Sequence, residues 1–310
     1  MQHLDDSRTV ASLSIPGAHD AATGEGVHMV AGFGKTQELS LAALGDCGVR
    51  AFDLRPAVNG EELHIYHGPI RTKTSFGKAL EILCNKLAEH PTEFAIVLLR
   101  EENDSENSAE RALWPQAVGK AIENIGDRAA IFSPAMSVRD ARGKIIFLSR
   151  NVYTGNNRGA IIKGWNHSPQ GSTNAVITSL ANGTTARLQM QDYYAPTDKE
   201  KQKAKEEAVL QCLQRAASAP ADVWTINFLS GYSNRWLGFT PFATTSGYKR
   251  NAERIHPIVI NSLTTKPQPT GIIMLDFAGC DKTGGGIWHW GCFETLGAEL
   301  VDKIIGQNFK

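Results

Sequence analysis

No excess of charge of either sign marks this sequence, in which 32 lysines and arginines stand against 32 aspartates and glutamates. A whole-protein field able to gather nucleic acid is therefore missing, and an extended polyanion is not expected as a partner. No run approaches the roughly 20 apolar residues that cross a bilayer. The opening residues, Met1 to Asp6, lack the basic and apolar stretches of a secretory signal. Cysteine is scarce and scattered: Cys47, Cys84, Cys212, Cys280 and Cys292 show no Cys-x-x-Cys spacing, so neither a zinc site nor a disulfide scaffold is indicated. Only Cys280 and Cys292 are candidates for a bridge. Repeats, low-complexity tracts and convincing linkers are also missing. The run Gly284-Gly285-Gly286 lacks the Gly-Lys-Ser/Thr ending and the helix of a phosphate loop.

What is present is an alternation of short apolar, β-branched runs with longer helical patterns from end to end. With 42% hydrophobic and 21% charged residues the chain has the composition of a soluble globular protein. The strands are predicted at residues 11–15, 49–54, 63–66, 94–99, 144–148, 187–190, 223–228 and 271–275. Several are continuous apolar runs, as in parallel strands covered on both faces. Phe76, Leu80, Leu83 and Leu87 recur on one helical face, which His90-Pro91 ends. Residues 108–125 are also helical, with a break or late start expected at Pro115, and residues 199–217 form a helix with a solvated Lys/Glu face. Residues 151–185, rich in Gly and Asn, read as an active-site loop with partial structure of its own. The expected fold class is α/β, a distorted (β/α)8 TIM-type barrel forming a single domain over residues 1–310.

The informative residues follow the strands. After the first comes Pro16-Gly17-Ala18-His19-Asp20; the second ends in Asp53-Leu54-Arg55 and the third in His67-Gly68-Pro69. The fourth gives Arg100-Glu101-Glu102, the fifth Arg150, the sixth Asp192 and Tyr194, the seventh Asn227 and Ser230, and the eighth Asp276. In a barrel all these ends open on one face, where barrel enzymes place their chemistry. Two histidines suit general acid and base roles because imidazole titrates near neutral pH. Arginines neutralise an anion and match phosphate oxygens with their planar fork. Asp20 and Asp276 are suited to orienting imidazoles. Together they fit in-line attack on a phosphodiester without a covalent protein nucleophile.

At these residues the chain resembles the bacterial phosphatidylinositol-specific phospholipases C of the X-domain type. The likeness runs in order from Ser14-Ile15-Pro16-Gly17-Ala18-His19-Asp20 through Gly48-Val49-Arg50-Ala51-Phe52-Asp53-Leu54-Arg55 and His67-Gly68-Pro69. It continues in Asp140-Ala141-Arg142-Gly143-Lys144-Ile145-Ile146 with Arg150, Gln191-Asp192-Tyr193-Tyr194, Ile226-Asn227-Phe228 and Met274-Leu275-Asp276-Phe277. The resemblance implies cleavage of phosphatidylinositol to diacylglycerol and inositol 1,2-cyclic phosphate. In it His19, paired with Asp276, is the base that takes the proton of the inositol 2-hydroxyl. His67, supported by Asp20, protonates the departing oxygen, and Arg55, held by Asp53, stabilises the phosphoryl oxygens. Arg150 and Asp192 hold inositol hydroxyls and the ring lies on Tyr194, while Arg100 stands where relatives carry a lysine, which changes reach and fork geometry.

The resemblance also implies an inositol phospholipid substrate and transient membrane contact through Phe33, at the place of a rim aromatic in relatives. Trp236, Leu237 and Phe239 after the seventh strand are further candidates for that contact. No cofactor and no metal are expected, because Arg55 supplies the charge that calcium supplies elsewhere, although Asp53, Glu101 and Glu102 are possible cation ligands. A monomer is expected, in a secreted, periplasmic or cell-surface location, with the export signal absent from this chain. His64 alternates away from His67 and reads as structural; His28, His167, His256 and His289 have no motif support. Asn182-Gly183-Thr184 fits a glycosylation sequon without other support. The alternatives are a metal-dependent glycerophosphodiester phosphodiesterase-like hydrolase and a non-catalytic module that binds inositol phosphates or glycans.

Overall fold

The computed structural model describes residues 1–28, 33–102, 108–232, 244–284 and 291–309. Its elements run β1 (Ile15–Ala18), α1 (Leu41–Asp46), β2 (Ala51–Leu54), β3 (Pro56–Asn59), β4 (Glu62–His67), β5 (Ile70–Ser75), α2 (Phe76–Glu89), β6 (Ala95–Leu99), α3 (Ser108–Asn124), α4 (Val138–Ala141) and β7 (Ile145–Ser149). They continue with β8 (Ala160–Lys163), β9 (Ser172–Ser179), β10 (Thr185–Gln191), α5 (Lys199–Ala217), β11 (Trp224–Phe228), α6 (Thr245–Thr265), β12 (Ile272–Leu275), β13 (Lys282–Gly284), β14 (Cys292–Glu294) and α7 (Gly297–Gly306).

Nine strands close a barrel in the order β1-β12-β11-β10-β9-β8-β7-β6-β2, and β2 returns to pair with β1. Only β9 runs against its neighbours, so the other eight strands share one direction and the TIM-type fold expected from the sequence holds in a mixed, distorted form. Three features depart from expectation. The first strand starts at Ile15 rather than Ala11, because Val10–Ser12 forms a 3-10 turn whose buried Val10 and Ala11 help to close the barrel floor. The strand containing residues 63–66 belongs to a separate antiparallel sheet, β3-β4-β5, rather than to the barrel. Its place is taken by β8 and β9, inside the region expected to be a loop. There Ala175 and Ile177 alternate inward among small polar residues, too sparsely to announce a strand.

Period-two alternation divides the apolar residues between two layers. Ile96, Leu98, Ile146, Leu148, Trp224 and Ile226 fill the barrel interior. Val97, Leu99, Ile145 and Phe147 face outward against the helices, among them Phe76, Leu80, Leu83 and Leu87 of α2. Each such buried side chain contributes about 1.5–3 kcal/mol, so this four-residue stripe is what seats the helix. In α3, Trp114, Val118 and Ile122 are buried and the indole nitrogen of Trp114 donates to the Pro56 carbonyl at 2.7 Å. Contrary to expectation the helix continues through Pro115. A mid-helix proline costs about 3 kcal/mol, which the burial of three large side chains outweighs. All five cysteines are free, so Cys280 and Cys292 form no bridge. Among the described residues no helix is long and apolar enough to cross a membrane.

Candidate active site

The alternation that sorts the core also aims the polar residues. On β6, Ile96 and Leu98 point inward and Arg100 is the next inward position; on β7, Ile146 and Leu148 lead to Arg150 in the same way. Leu188 and Met190 lead to Asp192, Ile272 and Met274 to Asp276, Ile15 to His19, and Ala51 to Asp53 and Arg55. A side chain at Gly17, two residues before His19, would stand 2.4 Å from the sulfur of Met274 and 3.2 Å from the Ala51 carbonyl, so it would have to displace Met274. Asn227 has the opposite parity and faces α5, where its side chain donates to the Val209 carbonyl, so it lies outside the cleft. Above this floor is a cleft of about 210 Å³, lined by His19, Arg55, His67, Arg100, Glu102, Asp192 and Tyr194 together with His167, Tyr232 and Tyr248.

At the closed end of the cleft His19 is 7% exposed, and its Nδ1 lies 2.7 Å from Oδ1 of Asp276. That carboxylate only accepts, so Nδ1 carries hydrogen. Asp276 is oriented in turn by the backbone N–H of Gly231, 3.2 Å from its other oxygen. Both strand ends are pinned by Gln37, whose side-chain nitrogen donates to the carbonyls of His19 and Leu275 at 2.8 Å each and whose oxygen accepts from Ala278 N–H at 3.0 Å. The residues after these two site groups, Asp20 (φ 42°) and Phe277 (φ 52°), are both left-handed. The strain is local to the two turns that end the strands, and it folds the Asp20 carboxylate back into the site.

The Nε2 of His19 has a partner in either protonation state. Oδ2 of Asp20, at 3.1 Å, lies close enough to pair in charge with the imidazolium, and Nη2 of Arg55, at 2.9 Å, donates to the neutral ring. Burial opposes the ring's charge, but Asp20 and Asp276 outweigh burial and Arg55, and His19 is raised to about 9. Arg55 is buried among three carboxylates: Asp20 at 2.9 Å, Asp53 at 2.8 Å and Glu102 at 3.7 Å. Burial alone would weaken its charge, yet these neighbours raise it well above the ordinary value. For Asp53 burial is likewise outweighed, by Arg55 and His19, and its carboxyl is held below the usual range. Among the described residues His19, Asp20 and Asp53 bring ligand atoms within 4.8 Å of one another, a spacing that fits a metal ion. The guanidinium of Arg55 fills that acidic corner with a fixed positive charge.

His67 faces the same cleft from outside the barrel. It ends β4 and pairs with Ile70 across the two-residue turn Gly68-Pro69, in which Gly68 has a φ of 56°. A tight hairpin with glycine first is the reason for that residue. The turn is tied to the barrel by Glu102, which accepts from Gly68 N–H at 2.9 Å. Nδ1 of His67 donates to the Gly34 carbonyl at 2.9 Å, which leaves Nε2 turned toward Asp20 Oδ2 at 3.4 Å and the hydroxyl of Tyr248 at 3.0 Å. The His19 and His67 rings are 6.3 Å apart. Asp20 is therefore closer to His19 and Arg55 than to His67, the residue it was expected to support.

The open end is built around Asp192, which accepts from the indole nitrogen of Trp165 at 3.0 Å and meets His167 Nδ1 at 3.1 Å and Arg150 at 3.8 Å. Burial disfavours its charge, but His167, Arg150 and Trp165 hold it below the usual carboxylate range. Arg150 stacks over Trp165 at 4.4 Å, and burial brings it down to about 10. Tyr194, 47% exposed, lies edge-on to His167 at 5.1 Å. Arg100 is half-exposed at the rim, 3.6 Å from Glu102. Beneath Asp192 the ammonium of Lys205 in α5 is fully buried; it donates to Gln191 at 3.2 Å and to the Phe228 carbonyl at 2.5 Å, and burial pulls it down to about 7. Phe33 is exposed at the rim, bridged to Thr244, the N-cap of α6. Trp236, Leu237 and Phe239 lie outside the described residues.

Trp165, His167, Gln37, Lys205 and Tyr248 carry no motif and follow no strand predicted from sequence. Trp165 and His167 sit in the turn between β8 and β9, which sequence patterning leaves as a loop.

No family model matches the chain. Among curated proteins it is similar to a 1-phosphatidylinositol phosphodiesterase of Listeria monocytogenes, 28% identical over 282 residues, which cover 89% of this chain and 80% of that protein. It is also similar to the 1-phosphatidylinositol phosphodiesterase of Staphylococcus aureus strain Newman, 24% identical over 98% of this chain and 93% of that one. Among solved structures a double mutant of the S. aureus phosphatidylinositol-specific phospholipase C superposes with a TM-score of 0.71 at 22% identity, over 97% of this chain and 94% of that chain. The L. monocytogenes enzyme gives a TM-score of 0.65 at 24% identity, over 99% and 97%. A further S. aureus structure, concerned with modulation of membrane binding, gives 0.69 at 23% identity over 97% and 95%. The resemblance carried by the motifs thus extends over the whole chain and its fold.

Proposed function

We propose that this chain is a bacterial-type phosphatidylinositol-specific phospholipase C that cleaves phosphatidylinositol to diacylglycerol and inositol 1,2-cyclic phosphate. The observation that carries the reading is the gathering of His19, His67 and Arg55 in one cleft, with Asp20 Oδ2 near Nε2 of both imidazoles and Asp276 fixing the tautomer of His19. His19 in its neutral form takes the proton of the inositol 2-hydroxyl at Nε2, once Arg55, which donates to that nitrogen in the unliganded cleft, has turned to the phosphate. The 2-oxygen attacks phosphorus in line, Arg55 stabilises the charge growing on the phosphoryl oxygens, and the bond to the glycerol oxygen breaks. His67 supplies the proton that completes diacylglycerol.

With His19 raised to about 9, its neutral form is the minor one at pH 7 in the unliganded site. Arg55, donating to the neutral ring, is the group that favours that form. Arg150 and Asp192 hold the inositol hydroxyls, and the ring lies along Tyr194. Arg55, surrounded by Asp20, Asp53 and Glu102, supports metal-independent chemistry. Phe33 contacts the membrane surface at the cleft rim, joined by Trp236, Leu237 and Phe239; the working form is a secreted or surface-located monomer built as one domain.

Phosphorus NMR of the products from phosphatidylinositol, with and without EDTA, tests the reading. A cyclic phosphodiester that forms equally in both is the expected result. Only an acyclic phosphate, or turnover abolished by EDTA and restored by calcium, would return the chain to the metal-dependent class.

A further inference from the structure

Among the described residues Tyr248 is the side chain that reaches the ring assigned as general acid from a helix, not from a barrel strand end or the outer sheet. It is carried by α6, is 5% exposed, and its ring lies 5.5 Å from that of His67 and 6.3 Å from that of His19. Its hydroxyl stands 3.0 Å from Nε2 of His67. The other nitrogen of that imidazole is committed to the Gly34 carbonyl, so Nε2 is the only atom through which the ring can pass a proton.

We propose that Tyr248 is a positioning residue for the acid step, its hydroxyl occupying in the resting cleft the place at Nε2 that the leaving oxygen of the substrate takes. This rests on the assignment of His67 as general acid. A hydroxyl both accepts and donates. It therefore accepts from Nε2–H while His67 is protonated, and it donates to bare Nε2 once the proton has gone to the leaving alcohol. Asp20, 3.4 Å from the same nitrogen, holds only the protonated ring. Burial, with Asp20 and Asp276 adding to it, holds the phenol well above its ordinary pKa, so the hydroxyl keeps its hydrogen through the cycle. The barrel aligns the base and α6 aligns the acid.

The test compares two soluble inositol 1-phosphodiesters, one with an alkyl alcohol as leaving group and one with 4-nitrophenol, which departs without a proton. Tyr248→Phe keeps the ring and removes only the oxygen. It should lower kcat on the alkyl ester by at least about 10-fold, a factor typical of one misplaced proton donor, and lower it far less on the nitrophenyl ester. Equal losses on both esters, or no loss on either, overturn the proposal. If the Phe variant does not fold, 3-fluorotyrosine at position 248 keeps ring and hydroxyl while lowering the proton affinity. The alkyl-to-aryl rate ratio then moves, and an unmoved ratio overturns the proposal. His67→Ala run in parallel separates the two claims: if it shows no leaving-group dependence, the assignment of His67 fails whatever Tyr248 does.

Discussion

Asp276 holds Nδ1 of His19 at 2.7 Å across a separation of 257 residues, joining the last barrel strand to the first. The contact orients the imidazole assigned as base and, with Asp20, keeps it charged up to about pH 9. The native site therefore binds a proton that the unfolded chain releases near pH 6.5. Stability from this group is fully present below pH 6.5 and is lost as pH rises through about 9. Asp276→Asn should bring the His19 titration down toward its ordinary value in NMR, and the stability gap between parent and variant should close over that window. An unmoved titration would remove Asp276 as the partner.

Lys205 has the opposite sign. Burial lowers it to about 7 in the fold against 10.5 in the unfolded chain, so between these values the unfolded chain binds the extra proton and stability rises with pH. Lys205→Met should stabilise the protein in acid and lose that advantage as pH climbs toward 10.5. Denaturant melts at pH 6 and 9.5 would show it. An advantage of the same size at both ends would mean that the ammonium is solvated.

Removing either imidazole should be severe. His19→Ala and His67→Ala should each reduce turnover of the natural lipid at least about 100-fold. Arg55→Lys should also lose most activity, because one ammonium does not reproduce contacts to three carboxylates while facing a phosphate. Near-normal rates in any purified variant would refute the assignment of that residue.

The Asp192 cluster should act on the sugar. Asp192→Asn removes a charge-assisted acceptor, an interaction of about 1.5–3 kcal/mol, so kcat/KM should fall about 10-fold or more. Inhibition by free myo-inositol should weaken in parallel. If the inhibition is unaltered, inositol is held elsewhere.

Phe33→Ser should weaken sedimentation with phosphatidylinositol vesicles by about 10-fold, the scale of burying one aromatic ring. Hydrolysis of a soluble diester should hold. A loss of both would mean that the ring supports the rim instead of meeting lipid.

The legible part of this protein is the part that obeys period-two alternation. Asp53, Arg100, Arg150, Asp192 and Asp276 each stand two residues beyond an inward apolar side chain, and a strand seen in sequence is enough to aim them. His67 is legible as a motif but not as a place, because an antiparallel hairpin outside the barrel has the same composition as a barrel strand. Trp165 and His167 are hidden because β8 is only four residues long and β9 opens on Ser172, Thr173 and Asn174, which leaves too short an apolar pattern to mark either strand. Tyr248 and Lys205 belong to helices, where nothing local distinguishes a residue aimed at a cleft from one buried in packing. Their roles exist only after long-range closure.

The outer sheet β3-β4-β5 makes the two imidazoles unequal heirs of the fold. His19 stands on the closed wall, so any lineage that keeps the barrel keeps its scaffold. His67 stands on an outer sheet tied to the rest of the chain by Glu102 at one turn, by the Gly34 carbonyl at the imidazole and by the Trp114 indole at Pro56. Val58 and Ile65 of that sheet share the outer core layer with Phe52 and Leu54, so descendants of such a barrel can remodel the hairpin tip but not discard the sheet without opening that layer. Drift toward catalytic silence would then begin with loss of the acid, leaving behind a folded, anion-gripping vessel that still recognises the headgroup it once cut.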